Sequence, residues 1–444
     1  MSKPICVFQS PIFTRSGYGE WAMAVGKSLL RYNKFELFVV PTPWGGTPRK
    51  LNVADIDQSD HEAIELGARI LRAPLQKQPD VFIQMTIPNE FQSPAKYNIG
   101  MTAGIETTIP PGDWIEGLNR MNVNFVTSTF SKEVFEKANF VKNHQDGRQE
   151  PLLMNKPMEV TPWGVNTKVF KKTDEKVETV ESTLNDIPEK FAFLFVGQWT
   201  NFNGLYNDRK DIGNLIKTFC DTFKDKKGER PCLILKTSGV NFSITDRDAC
   251  LSRIAAVKKE VGGDLPNVYL LHGELNDVEM NALFNHDKIK AHVSFTHGEG
   301  YGHPLLLASL SGKPILASNW SGHLDFLNPR YANLLQGNVK LIDPASANQW
   351  ILKESSWFTV AYGLAGDKFK SMFYTPTQSI KDNAEKLRIE NMEKFSMEST
   401  DKILHAYLDK YVPEFPVEQK LVLPKLKKIT LPTLKKITLP TVNS

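Results

Sequence analysis

The segment from Thr296 to Leu327 combines residues that could bind a phosphorylated ligand. It reads THGEGYGHPLLLASLSGKPILASNWSGHLDFL, which predicts a strand, a glycine-rich turn containing Glu299, a helix starting near Pro304 and a second strand. Gly300 and Gly302 allow the backbone to approach a ligand closely, and free amides at a helix start favour phosphate. The Glu299 carboxylate can accept hydrogen bonds from sugar hydroxyls. Taken alone, one GxG pattern is more typical of an ordinary strand-to-helix turn.

Basic residues at the ends of other predicted elements could neutralise such a phosphate. Arg209 and Lys210 precede the predicted helix DIGNLIKTFCDTF, and Lys236 ends the apolar strand LILKTSG. Cations beside a leaving diphosphate stabilise the charge that develops in the transition state. An Arg-Lys pair is equally typical of a solvated helix start. A lysine at the end of a buried strand is expected to face a cleft rather than solvent.

Short apolar strands alternate with helical segments, which predicts α/β architecture with doubly wound parallel sheets covered by helices on both faces. A first domain is predicted for residues 1–170 and a second for residues 191–375. The charged stretch 171–190 is typical of a linker or surface excursion. Residues 376–412 form a terminal helical segment expected to pack back towards the first domain. Ligands bind such sheets at the carboxyl ends of the strands.

Chain length, composition and the spacing of cysteines favour a cytoplasmic protein of two domains. A chain of 444 residues with 41% hydrophobic residues is long enough for two domains. The start of the chain lacks the pattern of a signal peptide, and no apolar run reaches the roughly 20 residues of a membrane-spanning helix. The cysteines are far apart, which indicates neither a disulfide framework nor a zinc site and favours the cytoplasm; they are Cys6, Cys220, Cys232 and Cys250.

The tail at residues 413–444 differs from the rest of the chain. It contains LPKLKKIT, LPTLKKIT and LPTV in succession, and residues 420–444 hold six lysines and no acidic residue. Removing these six charges from the net charge of +4 leaves a body of −2. Proline in every repeat opposes a continuous helix. The tail is therefore excluded from the fold and could bind a polyanion such as nucleic acid.

The motifs together resemble the retaining GT-B glycosyltransferases of the glycogen-synthase-like clan, glycosyltransferase group 1 type, in which an EGxGxP turn leads into a helix and then SGKP. MEVTPWGVNTKVF resembles the exit from the family's first domain, and FAFLFVGQ with RKDIGNLIKTF resembles the opening of its second. With NFVTSTFSKEVF and the terminal helix, the resemblance covers nearly all of residues 1–412. It implies two Rossmann-like domains with a cleft between them, and metal-independent hexosyl or pentosyl transfer from a nucleotide sugar.

The resemblance also implies roles for individual residues. Glu299 would contact the transferred sugar, with the amides of Gly300, Tyr301 and Gly302 near the donor. Lys210, with Arg209, would bind the diphosphate, which makes Lys210 and Glu299 the main catalytic candidates. The donor is expected to be a UDP-sugar, and no further cofactor is expected.

Further candidates lie on the acceptor side and around the donor. Gly17 and Gly19 in SGYG are placed at a strand-to-helix turn where the family brings backbone close to the donor, although a simple tight turn fits equally well. Glu106 lies where the family commonly has a polar residue facing the acceptor and is a third catalytic candidate. His303 replaces a residue that is often apolar, and it either faces the sugar or has the structural role that is commoner for a lone histidine.

Two positions depart from the family pattern. Many members carry a ribose-binding glutamate where this chain has Leu307, and an arginine where it has Gln198. These departures favour an alternative in which the chain is a catalytically inactive sugar-binding or scaffolding protein. An oxidoreductase is disfavoured because no GxGxxG opens the first domain.

The pattern of acidic residues argues against a metal site. The Asp-x-Asp spacings at Asp55 and Asp246 do not follow convincing buried strands, so both are expected in loops or helix caps. HEAIE at His61 lacks the second histidine of a zinc motif.

The acceptor and the oligomeric state are left open. A glycan or lipid-linked glycan is the usual acceptor of the family. Some bacteriophage glycosyltransferases instead modify hydroxymethylated bases in DNA, and the basic tail at 420–444 makes this a second possibility.

Overall fold

The computed structural model describes residues 3–47, 58–200, 204–239 and 241–416. A six-stranded parallel sheet forms the N-terminal half, with strand order β2-β1-β3-β4-β5-β8. Its elements in chain order are β1 (Ile5–Ser10), α1 (Gly17–Tyr32), β2 (Glu36–Pro41), α2 (His61–Ala68), β3 (Val81–Met85), β4 (Tyr97–Thr102), α3 (Gly112–Arg120), β5 (Val123–Val126), α4 (Thr129–Lys137), β6 (Asn139–Asn143), β7 (Gln149–Leu153) and β8 (Met158–Val160).

A second six-stranded parallel sheet follows, with strand order β11-β10-β9-β12-β13-β14. Its elements are α5 (Glu178–Asn185), β9 (Ala192–Val196), α6 (Ile212–Phe223), β10 (Cys232–Lys236), α7 (Ile244–Val261), β11 (Val268–Leu271), α8 (Asp277–Asn285), β12 (Ile289–Ser294), α9 (His303–Ser309), β13 (Ile315–Ser318), β14 (Asn333–Leu335), β15 (Gly337–Leu341), β16 (Ser356–Val360), α10 (Tyr362–Tyr374), α11 (Gln378–Lys394) and α12 (Met397–Tyr411). The predicted α/β class with two doubly wound sheets is confirmed.

The strands are apolar because helices cover both faces of each sheet. Every residue of β3 (VFIQM) and of β10 (CLILK) is buried, so these strands are mainly apolar rather than alternating, with Gln84 and Lys236 as their polar residues. Such runs in the sequence are typical of parallel sheets. Two antiparallel hairpins, β6–β7 and β15–β16, extend this framework.

The stretch 171–190, interpreted from its charge as a linker or surface excursion, contains helix α5. Val180 and Leu184 of α5 are 4% and 1% exposed and join a core cluster with Ala192 and Leu194 of β9. These two apolar residues lie four apart, on one face of a two-turn helix. One such pair is too short a pattern to stand out among charged neighbours.

The last helix returns to the N-terminal sheet. Leu404 and Leu408 of α12 are buried in the same cluster as the residues of β1. Arg31 of α1 forms an ion pair with Asp401 at 2.6 Å, and the His405 ring donates to the Ser28 carbonyl oxygen at 2.9 Å. The helical end of the chain thereby ties the two halves together.

Asp246 was expected in a loop or helix cap, and the structure corrects this. It lies in the first turn of α7, whose N-cap is Ser243. Its buried carboxylate accepts a hydrogen bond from the Gly239 amide and contacts His272 Nε2, both at 2.9 Å. Asp55 and the tail at 420–444 lie outside the described residues.

Candidate active site

The candidate site lies where the order of strands in the second sheet reverses. From β9 the chain proceeds outward through β10 and β11, then returns to place β12 on the other side of β9. Loops leaving the carboxyl ends of two such strands diverge, and the space between them binds ligands in open α/β sheets. The turn after β9 carries Arg209 and Lys210, and the turn after β12 carries Glu299.

Glu299 joins the predicted cations in one cluster. The Lys210 Nζ lies 2.5 Å from Glu299 Oε1, and Arg209 Nη1 lies 3.1 Å from Glu299 Oε2. The same Arg209 nitrogen donates to the Gly298 carbonyl oxygen at 2.6 Å, and its Nη2 lies 3.6 Å from Glu106 Oε1. The four side chains come from three separate loops, and the structure brings these candidates together.

The cluster is largely withdrawn from water. The side chains of Glu299, Lys210 and Arg209 are 8%, 15% and 24% exposed, whereas that of Glu106 is 32% exposed. Burial raises the pKa of Glu299, but the charges of Lys210 and Arg209 outweigh it and hold the pKa at about 2. Glu299 is therefore an anion at neutral pH and balances part of the charge of the two cations.

Two buried aspartates that sequence reasoning missed hold the Arg209–Lys210 turn. Asp208 accepts hydrogen bonds from Trp199 Nε1 at 3.1 Å and from the Ile212 amide at 3.2 Å. Asp211 has a left-handed backbone with φ of 56° and accepts from the Tyr362 hydroxyl at 2.7 Å. In the sequence, the signal for this role is the aspartate on each side of the Arg209–Lys210 pair.

The electrostatic environment of these aspartates is unusual. Burial raises the pKa of Asp211 to about 7, although the hydrogen bond from Tyr362 lowers it. Burial and the charge of Asp211 raise the pKa of Asp208 to about 6. Burial makes both carboxylates costlier to ionise than carboxylates in water, and their hydrogen bonds hold the turn that carries the basic pair.

The glycines of the turn after β12 are required by contact with the first domain. A Cβ on Gly298 would lie 2.1 Å from the Glu106 carbonyl oxygen, and one on Gly300 would lie 2.3 Å from that of Ala103. The Gly300 carbonyl in turn accepts a hydrogen bond from Ser128 Oγ at 2.6 Å. Only glycine permits this approach, which aligns the two halves of the site.

Tyr301, Gly302 and His303 lie at the start of α9. Gly302 has a φ of 88° directly before the helix, and the Tyr301 hydroxyl donates to the Trp163 carbonyl oxygen at 3.1 Å. The His303 ring stacks on Trp163 with centroids 3.4 Å apart, and burial lowers the pKa of His303 to about 3. His303 is therefore a neutral ring packed against the connection between the domains.

The remaining candidates, Lys236, Gly17 and Gly19, have no contact with the cluster of Glu299, Lys210, Arg209 and Glu106 among the described contacts. Lys236 donates to the Gly273 carbonyl oxygen at 2.5 Å and lies over the Phe242 ring, and burial lowers its pKa to about 8. Gly17 is exposed at the start of α1. Gly19 is buried, and a Cβ there would lie 2.2 Å from the Thr14 carbonyl oxygen, so its packing alone accounts for glycine.

The two departures from the family pattern have different environments. Leu307 is partly buried on α9 and packs against the apolar core of the second sheet. Gln198 is exposed just beyond β9. Leu307 offers no polar atom to a ligand, whereas Gln198 offers an amide.

No family model matches the chain, and no curated protein matches it. The fold is nevertheless shared with solved structures. Anabaena HepE in complex with UDP and glucose is 10% identical, with a TM-score of 0.55 over 92% of this chain and 100% of that one. Sucrose-phosphate synthase from Thermosynechococcus elongatus is 13% identical, with a TM-score of 0.57 over 92% and 98%. The chain has the GT-B fold.

A third GT-B structure agrees with these two. The E. coli trehalose-6-phosphate protein bound with UDP-2-fluoro glucose is 12% identical, with a TM-score of 0.56 over 92% of this chain and 100% of that one. In the described part of this GT-B chain, no helix is both long and apolar enough to cross a membrane. Nor do three or more His, Cys, Asp or Glu side chains within the described ranges form a group suited to a metal ion.

Proposed function

We propose that this protein is a glycosyltransferase that moves a sugar from a nucleotide-sugar donor to an acceptor with retention of anomeric configuration. The observation that carries the proposal is the cluster in which Arg209 and Lys210 converge on Glu299. It lies at the carboxyl ends of two neighbouring strands and faces the loop of the other domain that carries Glu106. This is the place where a donor and an acceptor can meet.

The donor is proposed to be a UDP-sugar, since two of the structures of similar fold contain UDP with glucose or a UDP-sugar. Lys210 and Arg209 would contact the diphosphate and stabilise the negative charge that it gains as the bond to the sugar breaks. Glu299 would then be released from its ion pairs to accept hydrogen bonds from the sugar hydroxyls. The amides of Gly300, Tyr301 and Gly302 add donors beside it.

Glu106 is proposed to face the acceptor. It is the most exposed member of the cluster and reaches Arg209 from the first domain. A carboxylate there can orient an acceptor hydroxyl without entering the donor site. Closure of the cleft around both substrates would exclude water and limit hydrolysis of the donor.

The site assignment is tested by Lys210→Ala, with Lys217→Ala as the matched control. Lys217 lies on α6, close to Lys210 in sequence, but pairs with Glu260 on the protein surface. Loss of a cation at the leaving group is expected to reduce turnover roughly a hundredfold, about 3 kcal/mol, while the control keeps wild-type turnover. Release of UDP from UDP-glucose, followed by mass spectrometry, is the measurement. Near-normal turnover of Lys210→Ala would refute the assignment.

The chemical step is proposed to need no divalent metal, because basic side chains and backbone amides supply positive charge at the diphosphate. EDTA should leave most of the UDP-glucose turnover intact. Complete loss of turnover that manganese or magnesium restores would contradict this.

Retention is checked in the same reaction by proton NMR of the first sugar product, whose anomeric configuration should match that of the donor.

A catalytically inactive sugar-binding protein is the second candidate, and the apolar surroundings of Leu307 favour it. A donor screen with several nucleotide sugars separates the two functions. Binding of a nucleotide sugar without any hydrolysis or transfer would support the second candidate. Hexosyl or pentosyl specificity is determined by the same screen.

A further inference from the structure

His297 is a buried residue that lies between the turn carrying the two candidate cations and strand β16. It directly precedes Gly298 and Glu299 in the turn after β12, and it is 4% exposed. Its backbone amide donates to the Arg209 carbonyl oxygen at 2.8 Å. Its own carbonyl oxygen accepts a hydrogen bond from the Phe358 amide at 3.0 Å. Main-chain hydrogen bonds of His297 thus join the basic turn to β16.

The imidazole ring of His297 adds a further bond to the same strand. Its Nδ1 lies 2.6 Å from the Phe358 carbonyl oxygen, and because a carbonyl can only accept, Nδ1 carries the donated proton. The ring also stacks on Trp357, with centroids 4.3 Å apart and 10° between the planes. Burial lowers the pKa of His297 to about 4, so the ring is neutral at pH 7. The side chain therefore fixes His297 to β16 without adding charge beside the cations.

Strand β16 is also bonded to the first domain. The Thr108 amide donates to the Ser356 carbonyl oxygen at 2.9 Å, and the Ser356 amide donates to Thr108 Oγ1 at 2.8 Å. Thr108 lies in the loop between β4 and α3, two residues after Glu106. A continuous path of hydrogen bonds and strand backbone therefore leads from the loop that carries Glu106, through β16 and His297, to the Arg209 carbonyl oxygen.

The other end of the basic turn is held from the same side. The Tyr362 hydroxyl, at the start of α10 just after β16, donates to Asp211 Oδ2 at 2.7 Å. Asp211 has a φ of 56°, which a residue other than glycine adopts only when its surroundings hold it there. His297 Nε2 lies 3.6 Å from Asp211 Oδ1, which is too far for a hydrogen bond. The segment around β16 thus holds the turn both before and after Lys210.

We propose that His297 is a positioning residue, which holds Arg209 and Lys210 for a diphosphate in a fixed position relative to the first-domain loop bonded to β16. This rests on the proposed function, in which the two cations bind the diphosphate of the donor. Hydrogen bonds from cations to phosphate depend strongly on geometry. Loss of the bond between His297 and β16 should therefore weaken the binding of phosphate groups and leave the binding of a nucleoside unchanged.

The test compares uridine, UMP and UDP, which differ only in the number of phosphates. His297→Phe keeps an aromatic ring on Trp357 and removes the donor to Phe358, whereas His297→Asn keeps an N–H donor and removes the ring. His292→Phe is the matched control, because His292 is also buried, lies in β12 and contacts Ser311 Oγ at 3.2 Å instead of the basic turn. Ligand-observed NMR titration measures each Kd, and thermal melting measures stability.

His297→Phe is expected to raise the Kd for UDP about tenfold and to leave the Kd for uridine unchanged. His297→Asn should recover most of the affinity for UDP. His292→Phe should keep the wild-type ratio of the two Kd values, whatever its melting temperature. A merely structural role of His297 would instead weaken the binding of uridine and UDP together.

Thr108→Val tests the path from the first domain at an exposed residue, where the fold tolerates the change. It removes the acceptor of the Ser356 amide and should raise the Kd for UDP about threefold. Thr375→Val is its control, since the exposed Thr375 hydroxyl bonds only the Ser371 carbonyl oxygen within α10 among the described contacts. Because Thr108 and His297 both act through β16, the double variant should bind UDP about as well as His297→Phe alone.

Equal affinity of His297→Phe and wild type for UDP would overturn the proposal, as would a loss of affinity that uridine shares. Multiplication of the two single effects to about thirtyfold in the double variant would overturn the path through β16. Failure of the proposed function is recognised separately, because wild type would then not bind UDP at all.

Discussion

At the scale of single residues, the site depends on the charge of Glu299. This carboxylate is buried, yet two cations within 3.1 Å keep it ionised. The stability that it contributes depends on pH because its pKa differs between the folded and unfolded states. Its folded pKa of about 2 lies below its ordinary value of 4.5. The contribution is therefore complete above about pH 4.5 and is lost as the pH falls towards 2.

Glu299→Gln should consequently be less stable than wild type at pH 7, by about 3 kcal/mol, since each pKa unit corresponds to about 1.4 kcal/mol. The difference should shrink as the pH falls from 4.5 towards 2, where wild type loses the same interaction. Urea unfolding of both proteins across this range measures it. The raised pKa values of Asp208 and Asp211 affect both proteins equally and cancel. A stability gap that does not vary with pH would contradict the prediction.

At the scale of elements, the turn between β12 and α9 packs closely against the loop after β4. The close approach of Gly300 to the Ala103 carbonyl oxygen leaves no room for a side chain. Gly300→Ala should therefore displace the turn and move Glu299 away from Lys210 and Arg209, because the added methyl group would clash with a backbone atom that cannot rotate away. We expect a loss of about 1–3 kcal/mol in stability and roughly a hundredfold in transfer.

Gly363→Ala is the matched control for this prediction. Gly363 lies in the first turn of α10, and a Cβ there would meet no described atom within 4 Å. Alanine is the better helix former, so this variant should gain up to about 1 kcal/mol and keep full activity. Thermal melting and UDP-glucose turnover measure both variants. Equal behaviour of the two alanines would show that the contact with Ala103 is unimportant.

Most of the fold was predictable at this scale because it depends on local patterns. Apolar runs such as FAFLFV and CLILK became buried strands, and the glycine-rich turn led into α9 as expected. Helix α5 was missed because its only local signal is one apolar pair, Val180 and Leu184. What makes α5 a helix is burial against the second sheet, which is a tertiary effect.

The site was predictable only in part, for the same reason. Glu299, Lys210 and Arg209 stand in recognisable motifs, and the structure brings them together. The role of Asp211 was not visible because its partner, Tyr362, lies 151 residues away.

At the scale of the whole molecule, charge is divided between the body and the tail. The candidate site balances its cations with Glu299 and Glu106, and the body without residues 420–444 has a net charge of −2. The six lysines of residues 420–444 account for the overall positive charge. Any affinity for a polyanion is thus predicted to belong to the tail and not to the site.

Deletion of residues 420–444 changes the net charge from +4 to −2 and should abolish non-specific binding to DNA at low salt. If all six lysines contact phosphates, the slope of log Kd against log salt should change by about 5. Replacing only the six lysines by glutamine keeps the apolar residues of the repeats and should have the same effect. Turnover of UDP-glucose should be unchanged in both variants, because the proposed site lies in the body. Fluorescence anisotropy with labelled duplex DNA at several salt concentrations measures the slope, and unaltered DNA affinity after deletion would contradict the prediction. An effect of deletion that the glutamine variant does not reproduce would assign the binding to the apolar residues of the tail instead of its charge.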